Sequence, residues 1–360
     1  PFSAAKPFTA DTRPVTGYFW SQDSKYVLYV QDKGGNENFH VYAVDVAAAA
    51  DPTTGVPPAR DLTPVDGVRA YIYAVPETRP DVIIVGLNDR DQTYHDVYRV
   101  KIATGERELL IQNTDKVGFW IYDRSGNVRL AYRQKDDGGS EILRVDGKAL
   151  TRIHENSYLE ESFPAGFDVE EKKVYLQTNK GDGVDLQRLE LLDPATGATQ
   201  VIESDPEKQV DIGGVAFDDQ THELMATWYV GDRTRIYPKT ERAKKDLERM
   251  KKKLPDGDFG LGSSTRDMRY SLVSVTSDVE PGATYLYDRT KGEFTLQYRV
   301  RERLPREHLA TMKPIRYKGR DGLEIPAYLT LPKGVPAKNL PLVLNPHGGP
   351  WARDEWGYDA

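Results

Sequence analysis

The sequence predicts an all-β chain: a seven-bladed β-propeller whose first blade is incomplete, over residues 1–304, followed over residues 305–360 by the first strands of a truncated α/β domain. Three observations carry this reading. A strand–turn–strand pattern returns about every 45 to 55 residues, the spacing of propeller blades. Tyr occurs 21 times and Gly 30 times in 360 residues, which suits many short strands closed by tight turns. The repeat stops after Tyr298, and a hairpin pattern and an apolar run ending in His347-Gly348-Gly349-Pro350 take its place.

Taken in order, Lys6-Pro7-Phe8-Thr9 matches Arg60-Asp61-Leu62-Thr63 and Lys148-Ala149-Leu150-Thr151, the strands that close later blades. Residues 1–10 are therefore expected to be the outer strand of the incomplete blade, with a disordered tail as the alternative. Pro1-Phe2-Ser3 shows neither an initiator Met nor a signal peptide, so a longer parent chain is expected. Six nearly whole units follow. Residues 26–31 turn through Asp32-Lys33-Gly34-Gly35 into 41–45. Residues 82–85 cross a longer turn, Asn88 to His95, into 97–100. Residues 128–133 pass through Asp136-Asp137-Gly138-Gly139 into 142–145, and 173–176 through 180–183 into 186–189. Residues 224–228 cross Gly231-Asp232 to 235–237, and 270–275 cross Pro281-Gly282 to 285–288. Period-two alternation and Asp/Gly turns predict four-stranded antiparallel blades.

One segment breaks the pattern. Residues 240–254 have helical propensity, with Ala243, Leu247, Met250 and Leu254 at helical spacing and Pro255 and Gly257 beyond. This helix is expected to replace or cover the fourth strand of its blade, its Lys cluster forming a solvated face. After it, Leu304 to Leu309 reads as a linker or short helix. The run Ile315-Arg316-Tyr317, the turn Gly319 to Gly322, and Ile325 to Pro332 read as a hairpin.

Bulk properties narrow the function. A net charge of -7 implies no nucleic-acid surface. The absence of Cys excludes disulfides, thiol catalysis and cysteine metal sites. No apolar run reaches about eighteen residues, so no membrane span is expected. The six histidines, His40, His95, His154, His222, His308 and His347, lack metal-ligand spacing, and Asp136-Asp137-Gly138-Gly139 lacks the ligand series of a calcium loop. No metal and no cofactor are expected. Ser263, Ser264 and Ser271 have no Gly-x-Ser-x-Gly setting and are not read as nucleophiles.

The chemistry is expected at the end of the chain. Leu342-Val343-Leu344 reads as a buried parallel strand that breaks into His347-Gly348-Gly349-Pro350. Glycines there leave backbone N–H groups bare, and fixed N–H groups at a strand end can hold the oxyanion of an acyl transfer. Such a turn supplies one oxyanion donor in α/β-hydrolases. His347 reads as shaping the loop, not as a general base.

This combination resembles the prolyl oligopeptidase family of serine peptidases, and most of all its acylaminoacyl-peptidase and dipeptidyl-aminopeptidase-like branch. The likeness is carried by Asp32-Lys33-Gly34-Gly35-Asn36-Glu37-Asn38 before Val41-Tyr42, by Arg320-Asp321-Gly322 with Tyr328-Leu329-Thr330-Leu331-Pro332, and by residues 341–353. It implies a propeller capping an α/β-hydrolase that cleaves short peptides with Ser-Asp-His chemistry. His347, Gly348 and Gly349 would form the oxyanion loop, and Trp351 and Arg353 would shape the substrate entrance. The serine, aspartate and histidine have no counterparts in residues 1–360, so this chain alone is expected to be inactive. Glu160 and Glu161 loosely echo the carboxylates that hold a substrate amine in dipeptidyl members, though a solvated loop is the reading preferred here. Glu37 and Asn38 are expected to fix a hairpin turn.

The implied partners are short peptide substrates and the protein's own C-terminal hydrolase domain, with no nucleic acid and no membrane, and a homo-oligomer left open. The expected location is cytoplasmic, with periplasmic or secreted as the alternative. Residues beyond about 305 are expected to be mobile, packed on a neighbouring molecule, or paired in a non-native way. The competing function is a free-standing propeller scaffold for protein or peptide binding, a reading that leaves the strand and Gly-Gly turn at 315–350 without a purpose.

Overall fold

The computed structural model describes residues 5–11, 13–15, 17–349 and 352–359. Six sheets of up-and-down antiparallel strands, the blades of a β-propeller, follow one another along the chain. The first holds β1 (Gly17–Trp20), β2 (Tyr26–Gln31), β3 (His40–Asp45) and β4 (Ala59–Asp61). The second holds β5 (Ala70–Ala74), β6 (Val82–Leu87), β7 (Asp96–Lys101) and β8 (Arg107–Ile111). The third holds β9 (Phe119–Tyr122), β10 (Val128–Gln134), β11 (Ser140–Asp146) and β12 (Ala149–Asn156). The fourth holds β13 (Ser162–Phe167), β14 (Val174–Thr178), β15 (Arg188–Leu192) and β16 (Thr199–Glu203).

The fifth sheet has three strands, β17 (Ile212–Phe217), β18 (Leu224–Val230) and β19 (Thr234–Pro238), and the helix α1 (Glu241–Lys253) comes where a fourth would stand. The sixth holds β20 (Asp258–Ser264), β21 (Tyr270–Ser277), β22 (Glu280–Asp288) and β23 (Glu293–Arg299). A 3-10 turn at Arg306–His308 leads to a separate hairpin, β24 (Met312–Lys318) and β25 (Glu324–Thr330). The chain divides into two compact units, Pro1–Phe167 with Glu171–Lys180 and Leu191–Gln200, and Asp168–Glu170 with Gly181–Glu190 and Val201–Ala360.

In the first unit the core lies between blades and follows from the period of two. Every residue of β6 is buried. Ile83, Val85 and Leu87 pack with Leu28, Val41 and Ala43 of the first blade. Ile84, between them in sequence, packs the other way, with Trp120, Ala131 and Leu143 of the third. The third blade repeats the device, since Ile121, Leu130 and Ile142 turn to Val174, Leu176 and Leu192 of the fourth.

In the second unit α1 is capped by the Thr240 side chain, which accepts the Ala243 N–H at 3.2 Å. Met250 and Leu254 join Val273, Val275 and Tyr287 in the core of the sixth blade. The buried face also carries Asp246, whose carboxylate accepts the Tyr287 hydroxyl at 2.7 Å and Arg289 Nε at 2.8 Å. In the fifth blade Gly214, at φ 158°, lies against Trp228, and a Cβ there would stand 2.2 Å from the indole.

Three expectations need correction. The described residues 5–10 hold no strand, because a closing strand needs a neighbour to complete its ladder. The turn of the sixth blade falls at Asp278-Val279, not at Pro281-Gly282, with Ser277 and Glu280 as the closing pair. That register sets Val273 opposite Tyr285 and Val275 opposite Ala283, keeping both valines buried. Residues 341–349 hold no strand, and Leu342, Val343 and Leu344 are 84%, 87% and 80% exposed. A parallel strand is stable only inside a sheet covered on both faces, and this segment has no ladder partner among the described residues. Among the described residues no helix is long and apolar enough to cross a membrane.

Candidate functional site

The segment after the sixth blade is anchored on the turn that joins β18 to β19. The β24–β25 turn closes with Gly322 at φ 88°, its N–H donating to the Gly319 carbonyl at 3.0 Å. Pairing of Pro314 with Tyr328 and of Arg316 with Pro326 puts Arg316 and Tyr328 on one face of the hairpin. That face meets the turn. The Tyr328 hydroxyl donates to the carbonyls of Gly231 (3.3 Å) and Asp232 (3.1 Å), and Arg316 pairs with the Asp232 carboxylate. Arg353 donates to the carbonyls of Val230 and Gly231, the latter at 3.0 Å. Arg233 lies over the Trp356 ring at 3.9 Å, and Trp356 Nε1 donates to the Met312 carbonyl at 3.0 Å. A tight turn leaves its carbonyls outside the sheet ladder, and arginine, with five donors in a rigid fork, is suited to collect them.

Upstream, Arg306 fastens the linker to the sixth blade. Its guanidinium donates to both oxygens of Glu280 at 2.8–3.0 Å and to the Val300 carbonyl at 2.7 Å, while Arg299 reaches the same carboxylate. Burial pushes the Glu280 carboxyl up, but Arg306, the Gly282 N–H and Arg299 outweigh it and hold it below the ordinary glutamate value. Met312 N–H donates to Asp278 at 2.7 Å, so the hairpin begins at a fixed point.

Between these anchors lies the glycine turn. His347 Nδ1 stands 2.8 Å from the Gly348 carbonyl, consistent with a ring that orders the loop. Gly349 has φ 142°, and a Cβ at Gly348 would meet nothing within 4 Å. Neither glycine N–H donates a backbone hydrogen bond among the described residues. A backbone amide left without an acceptor is the kind of donor an oxyanion hole uses. Trp351 lies outside the described residues; Arg353 sits on the Val230–Gly231 carbonyls as described.

Glu160 and Glu161 fall in the connection from β12 to β13. Glu160 accepts the N–H and hydroxyl of Ser157, each at 3.0 Å, and Glu161 N–H donates to Asn179 Oδ1 at 2.7 Å. The Glu160 carboxylate closes this turn, and Glu160 is the more covered of the two. Glu37, at φ 59°, donates its N–H to Asp32, and Asn38 N–H donates to Asn36, as a hairpin turn requires. Asp137 accepts the Gly139 N–H at 2.9 Å and pairs with Lys135. Ser264 and Ser271 share a hydrogen bond at 2.8 Å. Sequence reasoning missed Arg306, Arg316, Asp232 and Trp356; no periodicity marks them, because each partner is tens of residues away.

No family model matches the chain. It is 32% identical over 369 residues to dipeptidyl aminopeptidase BIII of Pseudoxanthomonas mexicana, covering 99% of this chain and 51% of that protein. It is 26% identical over 395 residues to dipeptidyl peptidase family member 6 of Caenorhabditis elegans, covering 99% of this chain and 52% of that one. The chain thus spans about half the length of the curated relatives it matches. Among solved structures, a prolyl endopeptidase superposes with a TM-score of 0.60 at 15% identity, over 90% of this chain and 47% of that one. A puromycin hydrolase gives 0.56 at 16%, over 88% and 50%, and a post-proline cleaving enzyme from Rickettsia typhi 0.54 at 14%, over 89% and 50%. At these identities the likeness to solved structures speaks for the fold.

Proposed function

From a chain that carries the propeller of the prolyl oligopeptidase family, we propose the substrate-gating part of a serine peptidase that hydrolyses short peptides through an acyl-serine intermediate. The observation that carries this is the glycine turn: two amides without backbone acceptors, in a segment anchored at both ends by arginines. In this reading residues 1–304 are the propeller and 305–360 open the hydrolase domain, whose serine, aspartate and histidine come from other residues of the parent protein.

A glycine N–H of the 347–349 loop would donate to the oxyanion as the serine oxygen adds to the peptide carbonyl. Removing such a donor typically lowers kcat by about 10² to 10³. The name of the Pseudoxanthomonas relative speaks of dipeptides removed at an amino end. The same chemistry here would need carboxylates for an ammonium group, and Glu160 and Glu161 are the pair the 157–161 loop offers.

The experiment uses a fluorophosphonate serine-hydrolase probe and chromogenic dipeptide substrates with the full-length parent and with residues 1–360. The parent is expected to be labelled and to cleave, while the 360-residue chain does neither. Labelling of the 360-residue chain overturns the proposal by placing a reactive serine within it, and a parent inert to probe and substrates overturns it in favour of the binding scaffold.

A further inference from the structure

Arg69 is the last residue of the connection from β4 to β5. Its guanidinium carbon lies 5.2 Å from the centre of the Phe39 ring and 5.0 Å from that of Tyr71. Tyr71 packs in turn on His95 at 4.7 Å. The Arg69 N–H donates to Asn88 Oδ1 at 2.7 Å, which pins the residue to the turn between β6 and β7. Two polar side-chain atoms in this cluster, Arg69 Nε and His95 Nε2, are buried without a hydrogen-bond partner.

The carboxylates around it are committed elsewhere. Asp96 takes the Arg90 fork at 2.7 and 2.8 Å and the Asn113 N–H at 2.7 Å. Asp89 accepts the Tyr98 hydroxyl at 2.9 Å, and Asp91 accepts the N–H groups of Thr93 and Tyr94. Arg69 is left without a carboxylate among the described residues. Burial holds His95 below the ordinary histidine range, so at neutral pH the positive charge of the cluster is that of Arg69.

Arg69 Nε is buried, but the outer guanidinium nitrogens are not, and they make no hydrogen bond among the described residues, so an anionic group can reach them. With two rings beside the guanidinium, its outer N–H groups are left for a partner, and the group that fits them is a carboxylate, met through two parallel hydrogen bonds. Tyr71 is 42% exposed and Arg69 is itself part-exposed, so the site is not sealed. We propose that Arg69, beside Phe39 and Tyr71, binds a carboxylate of the peptide substrate. This rests on the peptide-substrate reading above. It makes Arg69 a specificity-determining residue for peptides that carry a free C-terminus or an acidic side chain.

The test is calorimetric binding to residues 1–360 of three probes: acetyl-tetra-alanine as the free acid, the same peptide as its C-terminal amide, and an amide with one internal Glu. The free acid or the Glu peptide is expected to bind about tenfold more tightly than the plain amide. Preference for the free acid assigns the site to the chain terminus, and preference for the Glu peptide assigns it to a side chain. Arg69→Gln should bring the ratio to about one, and Arg69→Lys should keep part of it. Equal binding of all three probes by the wild-type chain, or a preference that survives in Arg69→Gln, overturns the proposal. Should Arg69→Gln fail to fold, the wild-type comparison still decides. The readout needs no hydrolysis, so a parent that fails to cleave peptides would sink the peptidase reading without touching this result.

Discussion

The second blade and the segment from Met312 to Asp359 are held by opposite means. The blade is held by side chains without a polar atom: Ile83, Val85 and Leu87 on one face, Ile84 on the other, all fully buried. The segment leaves Leu342, Val343 and Leu344 in solvent and is held by donors aimed at a few carbonyls and one carboxylate: Arg316, Tyr328, Arg353 and Trp356. Burial is non-directional and scales with area. Hydrogen bonds to a turn fix position while contributing little net free energy. The difference teaches that the propeller is built for stability and the glycine-turn segment for placement.

The sharpest way to break this comparison is Ile84→Ala. Removing a fully buried side chain between two blades should cost about 2–5 kcal/mol, read as a fall in the urea midpoint at constant slope. A loss below about 1 kcal/mol would mean that blade packing is not what holds the first unit. Next comes the linker. Arg306→Ala leaves Glu280 part-buried with Arg299 and the Gly282 N–H and should cost about 1–3 kcal/mol.

Glu280 also sets a pH dependence. Its carboxyl is held below the ordinary value in the folded chain. Its contribution is therefore complete above the ordinary glutamate value and is lost as pH falls through the lowered one. Thermal melts across the acid range should show a steeper decline for the wild type than for Glu280→Gln; parallel curves would remove Glu280 from the account.

Smaller still is Tyr328→Phe, expected to cost about 0.5–1.5 kcal/mol. It should quicken proteolysis within residues 312–359 while leaving the blades intact, and equal cleavage would separate that hydroxyl from the anchoring. The smallest effect belongs to Val343→Ser, expected within about 0.5 kcal/mol in this chain because the side chain is solvated. In the full-length parent, where the proposed hydrolase sheet would cover it, the same change should cost about 1–3 kcal/mol.

Alternation and turn residues made the blades legible, with the Asn88–His95 turn, the three-strand-plus-helix fifth unit and the β24–β25 hairpin where the pattern put them. The helix was read from its propensity, its apolar positions and the Pro255 and Gly257 beyond it. Asp246 stands three residues after Ala243 and four before Met250, on the stripe itself, so a polar partner on the facing blade was readable in principle. The turn at Asp278-Val279 was misread because Pro281-Gly282 has stronger turn chemistry, and only the burial of Val273 and Val275 decides between them. Leu342–Leu344 misled for a different reason: composition states what a strand could be, and a ladder needs neighbours. The anchors were illegible because Arg306 meets Glu280 across 26 positions and Arg353 meets Gly231 across 122. Of the candidate site, the glycine turn was readable and its supports were not.

Because β6 has no wet face, the second blade cannot open toward either neighbour without baring dry surface, and unfolding its buried strand would bare both sides at once. Breathing motions in this part of the protein should therefore be concerted over three sheets. Amide exchange from Leu28, Ile84 and Leu130 would then share one opening free energy, far above that of the chain ends.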